Sequence, residues 1–193
     1  MPTSYHGSKP TGQNLRTNEF FGIIFDFGQE FLTESSYRKE FNVIHVIGED
    51  HYSLLKIFLK HQLMGKVIGD RIDLEANKSS FHRIRRISLK QIPRGSEYPL
   101  EEQLTKIVTD QENSKFIKFF NEAKPITIKL HQLKLLPGVG QKRMWTIIES
   151  RKQKKYDSYK DIEKRAGFSP IPVLVKRIFE ELSGEEQHVL FVK

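Results

Sequence analysis

The spacing of apolar residues changes character near residue 93, and that change organises the chain. Before it, short β-branched and aromatic runs are separated by turn residues. Phe20-Phe21-Gly22-Ile23-Ile24-Phe25-Asp26-Phe27 is followed by Asn42-Val43-Ile44-His45-Val46-Ile47-Gly48, and Glu49-Asp50-His51 turns the chain into Tyr52-Ser53-Leu54-Leu55-Lys56-Ile57-Phe58-Leu59. Gly69-Asp70 then precedes the alternating Arg71-Ile72-Asp73-Leu74, and Phe81-His82-Arg83-Ile84-Arg85-Arg86-Ile87 completes the set. Closely spaced strands of this kind predict a small β-barrel over residues 18–92. The Tyr52 run also fits a helical period through Leu54, Leu55, Phe58 and Leu59, so its type stays open.

Five strands fit a barrel of the oligonucleotide-binding type, which holds nucleic acid on one sheet face and its loops. Strict alternation puts Phe81, Arg83 and Arg85 on one face of the last strand and His82, Ile84 and Arg86 on the other. Charge on both faces suits a strand at an edge or above a ligand groove.

Beyond residue 93 the period becomes helical. Leu100, Leu104, Ile107 and Val108 form one stripe, and Phe116, Ile117, Phe119 and Phe120 form another, with polar residues 110–114 between them. Residues 93–124 therefore read as a helical connector whose phenylalanines belong to the core. Residues 125–193 hold the most informative segment, Leu133-Lys134-Leu135-Leu136-Pro137-Gly138-Val139-Gly140-Gln141-Lys142-Arg143, which runs into the apolar-periodic Met144, Trp145, Ile147 and Ile148. Two short helices joined by a tight glycine turn give this pattern. Gly138 and Gly140 permit positive φ and close backbone approach, and amides at the start of the second helix receive a phosphate oxygen well. The segment resembles the helix-hairpin-helix element that grips sugar-phosphate backbones. Trp145 reads as core.

A second helix pair follows without the Gly-x-Gly. Ser158 is the favoured cap of its first helix, with Asp157 as the other candidate. Gly167 ends that helix, Ser169-Pro170 opens the next, and Val173, Leu174, Ile178 and Leu182 mark its apolar face. Residues 188–193 read as a short docking strand. At the other end, residues 1–17 are rich in Ser, Gly, Thr and Pro, and read as a disordered, mildly basic arm.

Charge sharpens this picture. The 193 residues carry 32 Lys and Arg against 24 Asp and Glu, a net charge of +8, which favours a polyanionic partner. The excess is local: residues 129–155 contain eight basic residues and one acid, and residues 78–94 contain six basic residues and no acid. Two basic patches separated by a slightly acidic spacer look like two contact surfaces. The absence of cysteine excludes disulfides, thiolate catalysis and cysteine-ligated metal centres. Seven histidines are scattered without a paired spacing and read as structural or surface residues, and only Asp50-His51 sets a carboxylate beside one. No apolar stretch reaches a membrane span and residues 1–17 have no signal-peptide core, so a cytoplasmic protein that inserts in no membrane is expected.

The chain also resembles, nearly throughout, an archaeal family catalogued as a domain of unknown function. The residues that carry the resemblance are Val46-Ile47-Gly48-Glu49, Tyr52-Ser53-Leu54-Leu55, Arg83-Ile84-Arg85-Arg86-Ile87, Phe116-Ile117-Lys118-Phe119-Phe120-Asn121, Ala123-Lys124-Pro125-Ile126-Thr127 and, most closely, residues 130–151. Members of that family are described as predicted RNA-binding proteins with an oligonucleotide-binding barrel followed by helix-hairpin-helix. The resemblance implies an α+β fold of that order and no established reaction.

The leading expectation is a non-catalytic nucleic-acid-binding protein without cofactor or metal, with RNA favoured over DNA and ribosomal RNA or an assembling ribosome as the setting. Gly138, Val139 and Gly140 would offer amides to a phosphate; Lys142 and Arg143 would add charge, and Lys134, Arg151, Lys152, Lys154 and Lys155 would widen the patch. Arg83, Arg85 and Arg86 would hold a second stretch of backbone. Phe81 and Tyr52 are considered as stacking platforms, though core positions suit them better. Two alternatives stand beside this. A glycosylase-type enzyme would use Lys142 as a Schiff-base nucleophile, but its aspartate would fall near Lys160, flanked only by Asp157 and Asp161. A protein-binding scaffold would lack the salt dependence of phosphate contacts.

Overall fold

The computed structural model of the chain describes residues 18–34 and 37–193. The arm expected over residues 1–17 lies outside them. Five strands are present among the described residues: β1 (Phe21–Glu34), β2 (Tyr37–Gly48), β3 (Leu54–Leu59), β4 (Arg71–Asp73) and β5 (Phe81–Arg86). They form one antiparallel sheet in the order β4-β1-β2-β3-β5. The sheet curls, because Ile72 of one edge strand and Phe81 and Ile84 of the other share a buried cluster with Ile24, Ile44, Val46, Leu55 and Ile57. A flat sheet could not bring its two edges to one core. The result is a half-barrel filled mainly by β-branched side chains, the residues that pack best on a pleated surface.

The Tyr52–Leu59 run resolves as strand β3 rather than helix. Its buried side chains lie on both sheet faces, which erases the two-residue period that marks a half-buried strand. The expected alternation in β5 is corrected too. A register shift between Phe58 and Leu59 pairs Leu59 with Phe81 and Phe58 with Arg83. That bulge lets Phe81 and Ile84, three positions apart, enter the same cluster. The first hairpin is also longer than its apolar signal. Pairs from Gln29↔Asn42 to Glu34↔Tyr37 run past the last β2–β3 pair, Val43↔Phe58, as a two-stranded ribbon.

Five α-helices follow: α1 (Glu97–Asp110), α2 (Ile117–Glu122), α3 (Gln141–Gln153), α4 (Tyr159–Ala166) and α5 (Pro170–Leu182). A wide turn over Glu112–Phe116 separates α1 from α2, where the polar residues 110–114 predicted a break. Ser158 caps α4 by accepting the Asp161 amide at 3.2 Å, whereas Asp157 pairs with Lys154. Gly167 ends α4 in the left-handed region (φ 72°), and Pro170 opens α5.

One apolar core joins sheet and helices. Ile23, Phe25, Ile47, Tyr52 and Leu54 pack with Leu100, Leu104, Phe116 and Phe120 of the connector and with Leu133, Ile147, Ile162, Leu174 and Ile178 beyond it. Burying each such side chain stabilises the fold by about 1.5–3 kcal/mol. The connector thus belongs to the core rather than lying on it. Tyr52 fixes the junction: its hydroxyl donates to Gln111 Oε1 at 2.7 Å, and Gln111 in turn donates to the Glu49 carbonyl at 2.7 Å.

Two buried carboxylates organise the loops. Glu19 accepts the amides of Asp50 (2.8 Å), His51 (3.1 Å) and Ser53 (2.9 Å), which shapes the β2–β3 turn. Glu181 accepts the amides of Leu190, Phe191 and Val192 at 2.8–3.0 Å and pairs with Arg177 at 2.8 Å. The C-terminal segment is therefore docked, as expected, but not as a strand. A helix carboxylate satisfies its amides, and Phe191 inserts against Phe116 and Phe119.

Candidate functional site

The glycine turn joins a short 3₁₀ turn to α3, where the sequence predicted two helices. A 3₁₀ turn over Gln132–Leu135 starts at His131, whose Nδ1 accepts the Leu133 amide at 3.1 Å. Burial, with Arg151 nearby, holds that imidazole below its usual pKa, so the neutral ring is available as acceptor. Val139 is buried and its amide donates to the Leu136 carbonyl at 3.0 Å, which withdraws it from the amides offered outward. Gly138 adopts φ 73°, where a β-carbon is strained. Gly140 does not: φ −75° and ψ −178° suit any residue, so only one of the two glycines uses the positive φ that both permit.

Gly140 is the N-cap of α3, and a β-carbon placed on it would meet nothing within 4 Å. Neither the backbone nor packing requires glycine there. Met144 donates to the Gly140 carbonyl at 3.0 Å, the first bond of the helix, which leaves the amides before it without intrahelical partners. No capping side chain covers them, and the first turn carries no acid. The absent side chain keeps a helix N-terminus open in a way that favours an anion.

The basic residues around this turn separate into two groups. The arginines serve the fold: Arg143 donates to the Gly138 carbonyl at 2.6 Å and lies over Phe168, and Arg151 donates to the carbonyls of Phe120 and Ala123, both at 2.7 Å. Both are half-buried and make these contacts within the fold. Lys154 pairs with Asp157 at 3.1 Å. Lys134, Lys142, Lys152 and Lys155 are exposed. Trp145, read as core, is 48% exposed, because Met144, Ile147 and Ile148 supply the buried face of α3.

The second patch also divides. Arg83 lies opposite Phe58 and Arg85 opposite Lys56, so both project from the outer face of the sheet, and Arg85 rests over the Phe58 ring. Arg86 lies opposite Leu55, toward the other face, and donates to the Lys193 carbonyl. Phe81 and Tyr52 are buried and serve the core, not stacking.

The same outer face holds a pairing that linear spacing concealed. Asp26, His45 and Lys56 stand in register on β1, β2 and β3. His45 is 1% exposed, with Nδ1 at 3.2 Å from Asp26, and Lys56 pairs with Glu30 at 2.5 Å. Burial, reinforced by Lys56, keeps the imidazole below its usual pKa against the opposing pull of Asp26. Alternation in both strands was the signal that could have found this row; cross-strand register decides it. Among the described residues, no group of three or more His, Asp or Glu is placed to hold a metal, and no helix is long and apolar enough to cross a membrane.

Comparison with known proteins places this architecture. A crystal structure of an Archaeoglobus fulgidus protein superposes with a TM-score of 0.76 at 28% identity, covering 91% of this chain and all of that one. An uncharacterised protein of Methanocaldococcus jannaschii is 35% identical over 155 residues, 78% of this chain and 70% of its own length. The family described as proteins of unknown function, DUF655, matches residues 6–193, and the Archaeoglobus structure carries the same family assignment. With the match spanning the half-barrel, the connecting helices and the glycine turn alike, the chain belongs to the DUF655 family.

Proposed function

We propose that this protein binds nucleic acid without catalysis, RNA in preference to DNA, gripping the phosphate backbone through a helix-hairpin-helix element at Gly138–Gly140. The observation that carries the reading is Gly140. A glycine the fold does not require leaves a 13-residue helix N-terminus uncovered, with exposed Lys134 and Lys142 close in sequence on either side. A phosphate oxygen is the ligand such amides and charges receive best. The half-barrel is read as oligonucleotide-binding-like: its strand order is that of a five-stranded barrel opened between β4 and β5, and Arg83 and Arg85 line its outer face.

The glycosylase alternative has less support. Lys142 is exposed rather than desolvated, and Asp157 and Asp161 are paired with Lys154 and Arg165. The test is binding of structured RNA, single-stranded RNA and duplex DNA by the full chain across a salt series, with Gly140→Ala alongside. Tight, salt-sensitive RNA binding that the variant weakens supports the reading. No binding to any of the three at low salt sinks it and favours a protein-binding scaffold.

A further inference from the structure

Trp145 is the one tryptophan of the chain, and the fold leaves it 48% exposed. Helical geometry puts it on one face of α3 with Lys142 three residues before it, Glu149 four residues after and Lys152 seven residues after, turned away from Ile147. Both lysines are exposed. An indole is the largest apolar side chain available, and half of its burial is forgone at a position where lysine or glutamate would serve the helix as well. A flat π-face among Lys142, Glu149 and Lys152 does not suit an apolar protein groove, which would leave these charges to be desolvated. It does suit a nucleobase whose flanking phosphates meet the lysines.

Resting on the phosphate-gripping reading above, we propose that Trp145 stacks on an unpaired base of the bound RNA, next to the phosphate held at the hairpin. The ligand is then a strand with an exposed nucleotide, such as the end of a duplex with a single-stranded extension, rather than a continuous helix whose bases are covered. The outer-face arginines hold backbone elsewhere; Trp145 supplies the preference for unpaired nucleotides.

Because this is the sole tryptophan, its emission reports on the contact directly. The full chain is titrated with a tailed RNA duplex and with its blunt counterpart, following tryptophan fluorescence and, independently, anisotropy of dye-labelled RNA. The tailed RNA is expected to quench the emission as it binds. Trp145→Phe is expected to bind within about twofold of the parent and Trp145→Ala about ten- to a hundredfold more weakly, with the loss smaller on blunt duplex. Since Trp145 is partly exposed, a thermal melt of the alanine variant close to the parent's verifies that the fold survives. RNA binding by anisotropy with unchanged emission and unchanged affinity of Trp145→Ala overturns the stacking contact and leaves the backbone grip standing. Absence of RNA binding altogether overturns both.

Discussion

Replacing Gly140 with aspartate separates what the fold needs from what a ligand needs. The backbone at this position, φ −75° and ψ −178°, is already that of an N-cap residue, and the β-carbon enters open space. An aspartate there accepts an amide of the first turn, which has no side-chain cap and no acid at present. A capping carboxylate in place of glycine contributes a few tenths of a kcal/mol, and its charge at the helix N-terminus about 0.3–1 kcal/mol. Loss of glycine's freedom in the unfolded chain adds about 0.4–1 kcal/mol. Together Gly140→Asp should stabilise the protein by about 1–2 kcal/mol, and for a chain of this size Tm should rise by about 2–8 °C. RNA binding should move the other way. The carboxylate occupies the amides a phosphate would use and repels it, with an expected loss of about tenfold or more in affinity, worth ~1.4 kcal/mol or more. Thermal denaturation by circular dichroism and an RNA titration at one fixed salt concentration read the two effects. A variant that is more stable yet binds RNA as tightly as the parent would refute the hairpin as the contact; one that melts earlier would refute the capping geometry.

Three further outcomes follow from the interior. Gly48→Ala should cost about 2–4 kcal/mol in urea unfolding, because the new methyl would fall 2.1 Å from Glu19 Cδ and dislodge the carboxylate from three backbone amides; parental stability would show that Glu19 can yield. Glu181→Gln should cost about 1–3 kcal/mol and speed hydrogen exchange at Leu190, Phe191 and Val192, since the charged acceptor their amides share with Arg177 is lost while Glu186 stays 2.8 Å from the guanidinium; exchange left unchanged would show that the tail is held otherwise. Burial lowers the Lys115 ammonium to a pKa of about 8, although Glu19 and Asp50 oppose the shift. In the window between about 8 and the unfolded value of 10.5 the unfolded chain binds more protons, so this group's contribution is complete above the unfolded value and is lost as pH falls through 8. The stability difference between the parent and Lys115→Met should therefore shift in the parent's favour as pH rises from 7.5 to 10.5, and a flat difference would contradict the burial of Lys115.

Local chemistry determined a good deal. The turn at Pro137-Gly138, the cap at Ser158, the stop at Gly167 and the restart at Pro170 each depend on a residue's own φ range or hydrogen-bonding reach, and those properties travel with the sequence. The change near residue 93 from short β-branched and aromatic runs to helical spacing likewise separates the strands from the helices.

Tertiary structure decided the rest. The bulge opposite Phe58 moved Phe81 and Ile84 into one cluster, and no property of either residue specifies a register shift in a partner strand. The ribbon at the end of β1 and β2 is held by strand pairing and by a small cluster in which Leu32 and Phe41 pack with Val43 and Phe58, contacts that only the folded hairpin makes. Eight basic residues between 129 and 155 read as one patch, yet Arg151 bonds the carbonyls of Phe120 and Ala123, which only the folded chain brings near. Trp145 faces solvent because Met144, Ile147 and Ile148 already fill the core side of α3. Charge and hydrophobicity belong to a residue, whereas the partner that satisfies a guanidinium or covers an indole belongs to the packed molecule.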